Sequence, residues 1–161
     1  GLKARDAQAI YLYCHGGAEA GVPFVEIGKP GRTKERIDYR HLAEGYPWGQ
    51  PPPHPLVFIN GCHTTALGPA QILDLVEGFV EEVEATGVVG TELTVFEPLA
   101  RAVAKTTFEA FIAEGREIGA AMRAAKLELL RANNPLGLVY VPFVAAETRL
   151  SPESHSPASA A

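Results

Sequence analysis

The sequence predicts an α/β domain in which a mostly parallel β-sheet is covered by helices on both sides. Three observations point there. Short β-prone runs recur along the chain, and they are apolar at consecutive positions, the pattern of strands buried on both faces. Longer stretches with helical apolar spacing alternate with these runs, which makes helical layers over a parallel sheet. The length, 161 residues, fits one domain with one core.

Ala9-Ile10-Tyr11-Leu12-Tyr13-Cys14 reads as the first buried strand, ended by Gly16-Gly17. Pro23 to Ile27 and Glu35 to Tyr39 flank the turn signal Lys29-Pro30-Gly31 and predict a small hairpin. Tyr46 to Pro55, with Pro51-Pro52-Pro53, reads as an extended surface loop. Leu56-Val57-Phe58-Ile59 is a second buried strand leading into Asn60-Gly61-Cys62. Pro69 opens a helix carrying Ile72, Leu73, Leu75, Val76, Phe79, Val80 and Val83, which Gly87 closes before a third strand at Val88-Val89-Gly90. Pro98 opens the next helix, with Val103, Ala104, Thr107, Phe108, Phe111 and Ile112 as its buried stripe and Gly115 as its end. A further helix carries Ile118, Ala121, Met122, Ala125 and Leu129 and stops at Asn133-Asn134-Pro135. Leu138 to Val144 is the last strand. Residues 1–150 form the domain, and the Ser/Pro/Ala-rich residues 151–161 read as a disordered tail.

Composition excludes several function classes. With 47% hydrophobic and 20% charged residues the chain is neither disordered nor fibrous. A net charge of -5 argues against a nucleic-acid partner, because phosphate binding needs a Lys/Arg excess; Lys29, Arg32, Lys34 and Arg36 are interleaved with Gly, Pro, Thr and Glu35. The apolar runs are too short to span a membrane. Two cysteines, Cys14 and Cys62, and no signal-peptide pattern predict a reduced, cytoplasmic protein. The chain opens on Gly1-Leu2-Lys3 with a strand almost at once, and reads as part of a longer protein.

In open α/β sheets chemistry gathers beyond the carboxyl ends of the strands. His15 and Cys62 are each placed by this reading one step past a strand end. A thiol attacks as thiolate, and a neighbouring imidazole both raises the thiolate fraction and protonates a leaving amine. Gly16 and Gly61 would let the backbone come close to a carbonyl, so that the Gly16 and Cys62 amides form an oxyanion hole. The candidate catalytic pair is therefore His15 as base and Cys62 as nucleophile. Their separation, 62 − 15 = 47 residues with His first, matches the caspase order and the spacing of about 50.

Four segments carry a family resemblance. Ile10-Tyr11-Leu12-Tyr13-Cys14-His15-Gly16 resembles the strand–His-Gly element of CHAT domains, caspase-like cysteine peptidase domains often attached to helical repeats. Leu56-Val57-Phe58-Ile59-Asn60-Gly61-Cys62-His63-Thr64 resembles their strand–Cys element. Gly87-Val88-Val89-Gly90-Thr91 with Val95 and Glu97 is similar to their next strand and turn, and Glu117 to Ala125 to a helix near the domain's end. The resemblance implies a caspase-like fold, hydrolysis of a protein or peptide substrate, no metal or cofactor, and a fused or associated regulatory repeat domain. It also implies that the first strands of the fold lie outside this span. Departures are Asn60-Gly61 where the family commonly has Ser-Ala, and Leu93 in place of a Trp. The acidic position that receives a basic P1 side chain in related separases is Thr94, so Glu92 and Glu97 join Thr94 as candidate substrate-binding residues.

Plainer readings stand beside these. Cys14 precedes His15 on the opposite face of its strand and reads as a core residue. His63 reads as a local hydrogen-bonding residue, and His41, His54 and His155 as solvated. Cys14, Cys62, His15, His54 and His63 include zinc-ligand types but no Cys-x-x-Cys pair. Glu77, Glu81, Glu82 and Glu84 read as a solvated acidic face. The alternative from another class is a catalytically inactive caspase-like module that docks or scaffolds a partner.

Overall fold

The computed structural model describes residues 8–27, 35–38, 40–41, 54–62, 69–82, 84–93 and 95–151, with the backbone alone at 61–62 and 69–72. It is an α/β fold: one mixed six-stranded sheet with helices on both faces. The strands are β1 (Ala9–Glu19), β2 (Val22–Ile27), β3 (Glu35–Asp38), β4 (Leu56–Cys62), β5 (Gly87–Thr91) and β6 (Tyr140–Phe143), in spatial order β3-β2-β1-β4-β5-β6. The central strands β1, β4 and β5 run parallel; β2, β3 and β6 add antiparallel at the two sides. No helix among the described residues is long and apolar enough to cross a membrane.

Alternation along β4 divides the interior into two cores. Val57 and Ile59 join Leu12, Cys14, Val25, Ile37 and Val88 on one face. Helix α1 (Pro69–Glu77) and the π turn Gly78–Glu82 cover this face with Leu75, Val76 and Phe79. Leu56 and Phe58 lie on the other, with Val89 and Tyr140, beneath α2 (Glu97–Phe108) and α3 (Ile118–Arg131). Both rows of β4 are thus buried, which is why its sequence is apolar without alternation. Pro98 begins α2 where its missing N–H costs nothing, and Glu97 and Lys105 sit at the ends that favour their charges. A π turn (Glu109–Ala113) continues α2 until Gly115, at φ +63°, ends it. Asn133 at φ 56° ends α3 in the same way, and the Asn134 side chain accepts a hydrogen bond from Leu136 N at 3.0 Å.

Four expectations need correction. The first strand does not stop at Gly16-Gly17 but runs to Glu19, because a tight Ala20-Gly21 turn, with φ of 51° and 82°, sends the chain back as β2. Gly87 opens β5 instead of closing a helix. A Cβ there would lie 2.5 Å from the Val144 Cβ and 2.7 Å from the Phe143 carbonyl, so glycine lets the end of β6 approach. The last strand is only Tyr140–Phe143; Pro135–Val139 is a 3-10 turn, as a proline after two asparagines favours. Ile112 does not join the buried stripe and is 52% exposed.

The hairpin of β2 and β3 forms as expected, with its Lys29-Pro30-Gly31 turn outside the described residues. So lie the Pro51-Pro52-Pro53 loop, Val83, and all of the tail beyond Ser151. At the end of β3, buried Asp38 accepts hydrogen bonds from Arg40 N (2.9 Å), the Arg40 guanidinium (2.9 Å) and His41 N (3.1 Å), and its carboxylate meets the His41 ring at 2.8 Å. His41 is therefore a hydrogen-bond partner of Asp38, not only a solvated ring. Burial by itself raises the Asp38 pKa, but these bonds and the His41 charge outweigh it and bring the carboxyl down to about 2.

Candidate active site

The ladder between β1 and β4 ends on the pair His15↔Cys62. The preceding pairs are Tyr11↔Phe58, Leu12↔Ile59, Tyr13↔Asn60 and Cys14↔Gly61. Two residues 47 apart in sequence are thus neighbours across parallel strands where their ladder ends. His15 is exposed and lies within β1, not past its end as the sequence suggests. Cys62 is the last residue of β4.

Beyond this pair β1 continues with β2 alone among the described strands: His15↔Glu26, Gly16↔Val25 and Gly17↔Phe24. Among the described residues no strand flanks the other side of the Gly16–Gly17 backbone, where β4 has ended. A Cβ at Gly17 would meet the Phe24 ring at 2.7 Å, so a side chain there would displace the ring. Arg36 stacks over that ring at 4.6 Å and pairs with Glu19 at 2.6 Å and Glu26 at 3.5 Å. The β1–β2 hairpin that carries His15 and Gly16 is held from its far side in this way. The Ala20-Gly21 pair between two β-prone runs was the signal that would have revealed it.

The two rows of β1 meet different surroundings. Leu12 and Cys14 are each 5% exposed and belong to the core under α1, so Cys14 occupies the structural position expected of it. Tyr11 and Tyr13 are 41% and 48% exposed on the other face. Beside them runs a groove of about 750 Å³ walled by α2, with Phe108, Lys105, Ile112 and Glu97 among its lining residues. Glu97 is bound to Arg101 at 2.8 Å. Glu92 follows the end of β5, is exposed, and donates its backbone N–H to Val139 O at 2.9 Å. Burial lowers the pKa of half-buried Lys126, and the charge of Glu92 partly opposes that shift. Thr94, the third substrate-binding candidate, and His63 and His155 lie outside the described residues. His54 meets the Glu84 carbonyl at 2.7 Å, away from this edge.

Sequence reasoning missed a polar network just below the pair. Asn60 is completely buried; its amide donates to Ala100 O at 2.9 Å and to the Tyr11 hydroxyl at 3.1 Å, and its Oδ1 accepts from the Tyr140 hydroxyl at 2.9 Å. An Asn inside an otherwise apolar strand was the available signal.

No family model matches the chain. It is 44% identical over 165 residues to a curated protein of Vitiosangium sp. (strain GDMCC 1.1324) named "Probable protease". The match takes in 99% of this chain and 21% of that protein, so the chain spans about a fifth of the length of the curated relative it matches.

Proposed function

We propose that this chain carries the catalytic part of a cysteine peptidase of the caspase-like, CHAT type, with Cys62 as nucleophile and His15 as general base and acid. The observation that carries the reading is the register His15↔Cys62, the last pair of the parallel β1–β4 ladder, at the carboxyl end of β4. Positions paired across a ladder fall on the same face of the sheet. The resemblance to a curated protein named as a probable protease supports peptidase activity in general.

In the proposed reaction His15 takes the Cys62 proton and the thiolate attacks the scissile carbonyl carbon. The Gly16 and Cys62 amides hold the oxyanion as the tetrahedral carbon forms. The C–N bond then breaks, His15 delivers its proton to the leaving amine, and an acyl thioester remains on Cys62. His15 next removes a proton from water, the hydroxide displaces the thiolate, and the acid product leaves with the thiol restored. Glu92, Thr94 and Glu97, around the β5–α2 connection, are the proposed substrate-binding residues. The Glu97 carboxylate is paired with Arg101 and the charge of Glu92 acts on Lys126, so a basic side chain would compete with a cation at either position.

The test is peptide turnover by the protein and by Cys62→Ala, His15→Ala and the double variant. Each single change should lower kcat by about 10⁴-fold or more, and the double should be little worse, because base and nucleophile act as one unit. Full turnover by Cys62→Ala would end the reading of Cys62 as nucleophile, whereas no turnover by the wild-type protein would leave the non-catalytic docking module in its place.

A further inference from the structure

We propose that Asn60 is a positioning residue for the candidate site: its buried amide fixes the end of β4 against β1, β6 and α2, and so sets where Cys62 stands relative to His15. The inference rests on the peptidase reading above and deepens it.

The fold by itself does not ask for an amide at this position. Asn60 lies in a central strand at 0% exposure, where Phe58, two residues earlier in the same row, is apolar and also fully buried. Asn is poorly suited to strands, and a buried amide is tolerated only when its groups are hydrogen-bonded. Among the described residues three of its four possible bonds are made, each to a different element: Tyr11 on β1, Tyr140 on β6 and the Ala100 carbonyl on α2. Satisfied polar networks of this kind fix one arrangement where apolar packing alone would allow several.

Position matters as much as bonding. Along β4 the next residue in the row of Asn60 is Cys62, and across the ladder Asn60 pairs with Tyr13, the residue before His15 in its own row. The anchor therefore sits directly beneath the pair, on both strands that carry it. Below the anchor the aromatic rings of Tyr11, Phe58, Phe108 and Tyr140 pack at centroid distances of 5.2–6.0 Å, a base with little freedom to shift. Nucleophile and base must be held within a fraction of an ångström, and a misplacement of about 1 Å can cost about 10²-fold in rate.

The experiment compares the protein with Asn60→Leu, Asn60→Ser, Tyr140→Phe and the core control Val89→Ala. It reads kcat and KM for a peptide and the pH dependence of Cys62 alkylation by iodoacetamide, located by mass spectrometry. Asn60→Leu should lower kcat about tenfold or more with KM within about twofold, and move the alkylation midpoint to higher pH by about half a unit or more. Asn60→Ser, which keeps a donor and an acceptor, should recover part of both. Tyr140→Phe, which removes one hydroxyl at nearly constant volume, should shift both in the same direction by less, and it serves if Asn60→Leu does not fold. Val89→Ala should melt at lower temperature yet keep the wild-type midpoint. Folded Asn60→Leu or Tyr140→Phe protein with wild-type kcat and midpoint, or a Val89→Ala midpoint moved as far, overturns the proposal. If that happens while Cys62→Ala and His15→Ala are inert, the peptidase reading survives alone; an active Cys62→Ala overturns both.

Discussion

The two faces of the sheet are made from alternate residues of the same strands, yet they are built differently. Under α1, the row Leu12, Cys14, Val57 and Ile59 is apolar and sealed. Under α2, the row Tyr11, Tyr13, Phe58 and Asn60 mixes aromatic rings with hydroxyls and an amide, stays partly open along β1, and leads to His15. The first arrangement needs only to exclude water. The second accepts the desolvation of Asn60 and offsets it with three hydrogen bonds, a cost that an apolar core avoids. On the proposed role of Asn60, the α2 face holds its upper edge in place, whereas the α1 face serves only to keep the sheet folded.

Core truncations should separate these roles and give the largest effect on stability. Phe58 and Phe79 are both completely buried, on the α2 and α1 faces respectively. Phe58→Ala and Phe79→Ala should each cost about 3–5 kcal/mol in denaturant unfolding. Under conditions where both variants are folded, Phe58→Ala should also lower kcat, because it removes the ring beneath Asn60, while Phe79→Ala should leave kcat close to wild type. Equal losses of kcat would erase the distinction between the faces.

How much of this was legible in the sequence depends on the range of the interactions involved. The consecutive apolar residues of β4 and β5 and the helical stripes of α2 and α3 announced themselves, because burial on two faces or on one stripe writes a local pattern. That His15 and Cys62 stand on neighbouring strands was foreseeable from their places after two β-prone runs. The continuation of β1 through Gly16 and Gly17 was harder to read, since two adjacent glycines look like a break and only the Ala20-Gly21 pair after them signals that the strand goes on. Gly87 misled as well: its meaning comes from Val144, 57 residues later. The partners of Asn60 come from positions 11, 100 and 140, a network that no local pattern encodes.

A smaller effect belongs to the far end of the sheet. The Asp38 pKa of about 2 is depressed below its ordinary 3.8, so its interactions stabilise the fold above about pH 4 and are lost as pH falls through about 2. Because the Arg40 and His41 side chains are 60% and 52% exposed, water screens the pairs and the contribution is about 1 kcal/mol. Asp38→Asn should therefore lower stability by about that amount at pH 7 and by almost nothing near pH 2, with kcat unchanged at pH 7. A large loss of kcat at pH 7 would show that the β2–β3 hairpin, and not only the α2 face, sets the geometry of the edge.

The most direct test uses the two cysteines as each other's control. The protein is treated at neutral pH with a peptide-based thiol electrophile, and the adduct is located by mass spectrometry in the wild type, Cys14→Ala and His15→Ala. One adduct is expected, on Cys62, formed at the same rate in Cys14→Ala and at least about tenfold more slowly in His15→Ala. Labelling at Cys14, or labelling of Cys62 at an undiminished rate without His15, would contradict it.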